Sequence, residues 1–271
     1  MRRLPFKIRL YLLTILSIGS TSGADFVSEH TVRDLSLGSI TIGTGSPISL
    51  AGYGNLSNQM FVGYRDKFSL KEMAVASFGG LYHSPWMSTV LSVFSAGYEY
   101  YRQTLVGLHA QKELSDNISF GLAIQSLSLS TITLEKNLWV LYPRLGVEYK
   151  AFSGVTFGMN IDNPVQVGSE GYRQLAARFR LTGGASLQIG ELCLLAGEYE
   201  LEEGGNSCLR LGAEYSLLPE FKFRTGMSTQ PFAPTFGCGY SYKNWIIDVA
   251  SEQHRYLGNS LSVGLSYRFK N

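Results

Sequence analysis

The chain has 271 residues, 45% of them hydrophobic and only 16% charged, with 23 Lys and Arg against 21 Asp and Glu for a net charge of +2. That balance gives no basic track for nucleic acid, and past the N-terminal leader no apolar run approaches the roughly 20 residues a membrane-crossing helix needs. The 30 Gly, 16 Tyr and 15 Phe suit a barrel wall, whose outer face takes apolar residues, whose rims take aromatics, and whose turns and crowded interior take glycine.

In chain order, Arg2, Arg3, Lys7 and Arg9 form a basic head, Leu10 to Ile18 a short apolar core, and Ser22-Gly23-Ala24 a run of small residues. This reads as a secretory signal peptide over 1–24 with cleavage near Ala24. Residues 25–57 are rich in Gly and Ser, with one short patterned piece, Val32 to Ile42, and a loose stretch SPISLAGYGN. Two readings stand for this segment: an arm folded inward as a plug, or a disordered periplasmic leader.

From 58 to 271 the pattern predicts an all-β, antiparallel, up-and-down transmembrane barrel of about fourteen strands, with twelve surviving the same reading. The predicted strands begin with Gln59 to Phe68, Glu72 to Tyr82, Thr89 to Tyr101 and Thr104 to Glu113. They continue with Asn117 to Leu129, Leu138 to Lys150, Val155 to Asp162, Gln174 to Leu187 and Leu192 to Leu201. Cys208 to Leu217, Phe221 to Met227, Thr235 to Tyr242, Trp245 to Ala250 and Leu261 to Phe269 complete the set. Turns such as Glu203-Gly204-Gly205-Asn206 and Leu218-Pro219-Glu220 make consecutive strands antiparallel neighbours. A meander leaves two raw edges unless its first and last strands meet. Aromatics gather near strand ends, at Tyr98, Tyr100 and Tyr101, Trp139 and Tyr142, Tyr240, Tyr242 and Trp245, and Tyr267 and Phe269, as interface girdles require.

Side-chain alternation puts every charge of four successive strands on one face: Arg178 and Arg180, then Glu198 and Glu200, then Arg210 and Glu214, then Lys222 and Arg224. Pairing through the turns sets Arg180 near Glu198 or Glu200, Glu198 near Arg210, and Glu214 near Lys222. Such a ladder suits a narrow lumen, because an unpaired buried charge costs several kcal/mol. It reads as a neutralising, rigidifying device ahead of a conduction path or ligand site.

Few residues suggest catalysis. His30, His83, His109 and His254 lack metal-ligand spacing, no Cys-x-x-Cys pair occurs, and there is no G-x-S-x-G elbow; no cofactor is expected. His109 and Asp248 are conceivable members of a catalytic pair distant in sequence. Asn160, Asp162, Asn163 and Pro164 read as a strand-ending turn ahead of a calcium or sugar contact. Cys193 and Cys208 face opposite ways by alternation, so no bridge between them is expected.

The stretches YRDKFSLKEMAVASFGGLYH, GYEYYRQTLVGLHAQKELSDNISFGLAIQ and NIDNPV, and above all Leu209 to Phe269, resemble small outer-membrane barrels of Bacteroidetes related to the PorV and PorQ proteins. These in turn resemble the FadL group of fourteen-stranded barrels. The resemblance implies an outer-membrane location, contact with outer-membrane lipid, an N-terminal arm in the lumen, and a last strand read by the barrel-assembly machinery through Tyr267 and Phe269. Here Lys270 and Asn271 follow that aromatic, and Ser46-Pro47-Ile48 stands where the family has Asn-Pro-Ala. For function it implies passive transport of small or hydrophobic molecules, or an accessory role with subunits of a type IX-like secretion and surface-attachment system. A soluble periplasmic β-sandwich that binds a ligand is the third reading.

Overall fold

The computed structural model describes residues 27–52, 56–132, 137–170, 172 and 178–269; the leader expected over 1–24 lies outside them. Strands β1 Gln59–Asp66, β2 Val75–His83, β3 Ser88–Tyr98, β4 Tyr101–Glu113, β5 Ile118–Thr131, β6 Leu138–Phe152 and β7 Val155–Asp162 make one half of the wall. Strands β8 Arg180–Ile189, β9 Cys193–Glu202, β10 Ser207–Leu218, β11 Phe221–Thr229, β12 Phe232–Tyr242, β13 Trp245–His254 and β14 Gly258–Arg268 make the other. Each pairs antiparallel with its neighbours, and β14 returns to β1 with Gln59 opposite Arg268 and Asp66 opposite Leu261. The ring is therefore a closed antiparallel barrel of fourteen strands, and closure removes the raw edges of the meander. A two-residue piece, Val167–Gly168, lies beside Leu141 and Val140 of β6, outside the ring.

Strand ends differ from the alternation pattern where backbone chemistry intervenes. Lys71–Met73 is a single 3-10 turn, so β2 starts at Val75 rather than Glu72. The predicted strand from Gln174 begins, among the described residues, at Arg180. Strand β7 stops at Asp162 because Asn163 takes φ 56°, a left-handed conformation Asn tolerates, and Pro164 cannot donate to a ladder.

The sidedness is inverted relative to a water-soluble sheet. On β14, Leu261 and Val263 are 58% and 55% exposed while Ser260 and Ser262 are 1% and 3%. Leu209, Leu211, Phe223 and Leu265 also face outward and exposed, which overturns the β-sandwich alternative: among the described residues no second layer clasps these faces. Exposed aromatics collect at both rims, Tyr64, Tyr98, Trp139 and Phe232 at one, Tyr82, Tyr149, Tyr240 and Trp245 at the other. Two expected girdle residues are corrected. Tyr142 is buried on the inner face, and the Tyr101 hydroxyl accepts from Gln103 Nε2 at 3.0 Å, because both occupy inward positions of their strands.

Residues 27–52 run among the inward-facing side chains of the wall. Thr31 caps a short helix, α1 (Val32–Ser36), its hydroxyl and backbone N–H both bonded to Asp34. The remainder is a chain of turns whose Leu37, Ile40, Ile42, Ile48 and Leu50 are almost wholly buried.

Candidate functional site in the barrel lumen

Alternation delivers polar groups to the inner face, and the segment 27–52 threads between them. On the β3–β6 side, Glu29 receives His109 Nε2 at 2.8 Å and Arg144 Nη1 at 2.7 Å, together with Ser92 Oγ and Gln125 Nε2. Arg144 is shared with Asp162 at 2.6 Å. Burial pushes the Glu29 carboxyl up, but His109 and Arg144 outweigh it and hold the group at about 2. Its neighbour His30 is driven down to about 3, first by burial and then by Arg210, Arg65 and Arg144. Asp34 is raised by burial, against its bonds from Thr31 and Ser46.

The carboxylates that receive the segment's own donors belong to the wall. Glu198 accepts the backbone N–H groups of Thr41 and Ile42, both at 2.7 Å. Glu148 accepts Gly43 N–H and Ser49 Oγ, both at 3.1 Å. Glu214 takes Arg33 at 3.2 Å, Lys222 at 2.9 Å and Arg224 at 2.7 Å, and Arg224 continues to Asp248 at 2.6 Å.

All eight ladder residues sit on the lumenal side, with a register partly different from the one anticipated. Arg210 lies 3.7 Å from Glu198 and 3.1 Å from Glu200, and Lys222 meets Glu214, as expected. Arg180 falls opposite Glu202 and approaches Asp162 at 3.8 Å, because the turn after β8 sets Ile189 against Cys193 and thereby Glu198 against Gly184. Arg178 pairs with Glu202 at 2.8 Å. Cys193 and Cys208 are free thiols, as is Cys238.

His109 and Asp248 are not brought together: β3, β2, β1 and β14 separate their strands. Ser92 gives its hydroxyl proton to Glu29, which gives the cluster the geometry of a buried anchor around that carboxylate. Glu29, Arg33, Arg144, Glu148 and a row of inward glycines escaped the sequence reading. A Cβ on Gly212 would come within 2.5 Å of Leu37 O, one on Gly158 within 2.5 Å of Ile42 Cγ2, and one on Gly237 within 2.5 Å of Ser36 Cβ. Glycines recurring at inward positions of consecutive strands were the signal available for this close approach. Cavities adjoin the network. One of about 530 Å³ lies at the end where β1 starts and β14 finishes, and one of about 190 Å³ lies beside Glu29, Arg144 and Arg210.

No family model and no curated protein matches the sequence. Among solved structures, the chain is similar to the Pseudomonas putida toluene transporter TodX, with a TM-score of 0.64 at 11% identity over 89% of this chain and 98% of that one. A TodX deltaS2S3 mutant, described as a monoaromatic hydrocarbon channel, gives 0.68 at 11% identity over 88% and 98%. A Pseudomonas aeruginosa FadL homologue gives 0.53 at 12% identity over 79% and 90%. At these identities the likeness is one of fold alone.

Proposed function

We propose that this chain is an outer-membrane barrel that passes small or hydrophobic molecules passively and catalyses no reaction. The observation that carries the reading is its sidedness: outward positions such as Leu261 and Val263 are apolar and exposed, while the ionised groups of the ladder point inward. Water would not tolerate so large an apolar exterior on a monomer, whereas lipid requires it, since Arg or Lys on that face costs roughly 2–4 kcal/mol at the bilayer midplane. The fold neighbours named as a toluene transporter and a monoaromatic hydrocarbon channel support the transport role.

In this reading residues 1–24 direct export, 25–57 form an arm that plugs the lumen, and 58–271 form the barrel. The ladder from Arg178 to Arg224 neutralises the interior, and Tyr267 with Phe269 addresses the last strand to the assembly machinery. The PorV and PorQ affiliation and a type IX role rest on the sequence motifs alone. Fractionation and gel migration with and without heating test the barrel: soluble protein free of detergent would defeat it. Uptake of labelled toluene into proteoliposomes tests transport; no uptake above protein-free vesicles, with secretion-machine subunits captured by crosslinking in cells, would replace it with the accessory role.

A further inference from the structure

The larger cavity does not balance its charge. Four cationic side chains line it, Arg33, Lys222, Arg224 and Arg268, against two carboxylates, Glu214 and Asp248; four minus two leaves an excess of two positive charges. Both carboxylates are already engaged. Glu214 is divided among Arg33, Lys222 and Arg224, and Asp248 receives Arg224 Nη1 at 2.6 Å. Arg33 Nη1 is buried without a hydrogen-bond partner, and among the described residues no carboxylate lies within ion-pair distance of Arg268. Uncompensated cations held together in a confined, partly dehydrated space are costly unless an anion joins them.

We propose that this cavity binds a small oxyanion, a carboxylate or a phosphate group, between Arg33, Lys222 and Arg268. Arginine forks and a mobile ammonium are the donors such groups take best. The volume of about 530 Å³ falls within the roughly 300–1,000 Å³ typical of ligand sites. It leaves room for a short apolar body against Phe61, Leu194 and Ile246, which share the lining. Lys222 is 38% exposed at its side chain and Arg268 is exposed, so the anion has a way in from the mouth. Because Arg33 belongs to the N-terminal segment and the other two cations to the wall, the bound anion bridges them. The ladder is thus closed with a free carboxylate or phosphate as its last acid.

Titration calorimetry of the detergent-solubilised full chain, at constant ionic strength, tests this with inorganic phosphate in one arm and acetate in the other. Saturable binding of at least one anion is expected, and the arm that binds more tightly assigns the chemistry. Lys222→Gln and Arg268→Gln should each weaken it roughly tenfold or more, the worth of one charge-assisted hydrogen bond. Lys112→Gln, on the outward face of β4, should leave it unchanged. Absence of saturation with both anions, or affinities unmoved by both lumenal substitutions in protein that still shows heat-dependent migration, overturns the site. Binding does not require conduction, so failure of the uptake experiment and failure of this one are separate results.

Discussion

The two sides of the lumen hold the N-terminal segment in opposite ways. Toward β1–β6 the wall fills space with large side chains: Phe61, Phe94, Leu105, Leu127 and Tyr142 pack with Val27 and Ile48 of the segment in one buried cluster. Toward β10 and β11 the wall withdraws to glycine and backbone lies on backbone where Leu37 meets Gly212 and Gly226, a contact repeated on the first side where Leu50 meets Gly121. The charges differ as well. On the first side the segment brings the acid, Glu29, to the wall's His109 and Arg144. From Glu148 of β6 onward it is the wall that brings the acid, Glu148 and Glu198 to the segment's N–H groups and Glu214 to Arg33. Complementary shape and complementary charge together specify one orientation, because a reversed segment would set Glu29 against wall carboxylates and side chains against a floor of glycine.

The largest effect is expected from Glu29→Leu, which takes from His109 and Arg144 the acid they share on the first side. Removing one partner of a buried ion pair costs about 3–5 kcal/mol. The segment should come free, read as trypsin cleavage after Arg33 in protein whose barrel still migrates with heat dependence. Protection equal to wild type would mean that the glycine side alone seats the segment. Gly226→Leu attacks that other side. The added side chain has nowhere to go beside Leu37 and Gly38, and overpacking of this kind costs about 1–3 kcal/mol. The same cleavage assay should show partial release.

Acid should loosen the segment through the first side. His30 stays neutral in place, at about 3 against an ordinary 6.5, so a released segment binds a proton there that the seated one does not. Seating therefore weakens as pH falls from 6.5 toward 3. Glu29, held at about 2 against 4.5, adds a loss of the same sign as pH falls from 4.5 toward 2. Asp34, raised by burial, opposes both, since its seated form takes up the proton first. His30→Gln removes only the first contribution, so cleavage after Arg33 should become flatter between pH 6.5 and 4.5. An unchanged profile would assign the acid response to other groups.

How much of this could be read from residues alone follows from the range of the interactions. Alternation is local, and Leu261 to Phe269 declared its two faces without help. Hence the strands, their sidedness and the inward placement of the ladder were legible. Register is less local: one turn's geometry moved Arg180 from Glu198 or Glu200 to Glu202. The anchor was not legible, since Glu29 and Arg144 are separated by 115 positions and the segment carrying Glu29 has no periodicity to mark a face. His109 could be placed inward, but nothing in its surroundings named a carboxylate on a turn-rich arm as its partner.

The smallest effect separates rim from depth within the ladder itself. Arg178 is 34% exposed at its side chain where it meets Glu202, so water competes for the guanidinium end of the contact, and Arg178→Ala should cost no more than about 1 kcal/mol. Arg224 is 3% exposed and joins Glu214 to Asp248; Arg224→Ala leaves two carboxylates short of a cation, at about 3–5 kcal/mol. Unfolding midpoints in denaturant, measured by loss of the heat-dependent gel shift, compare the two directly. Equal losses would mean that the lumen is screened to the same degree at its rim and in its interior. Its acids and bases would then act as solvated surface groups, and the neutralising role of the ladder would lose its physical basis.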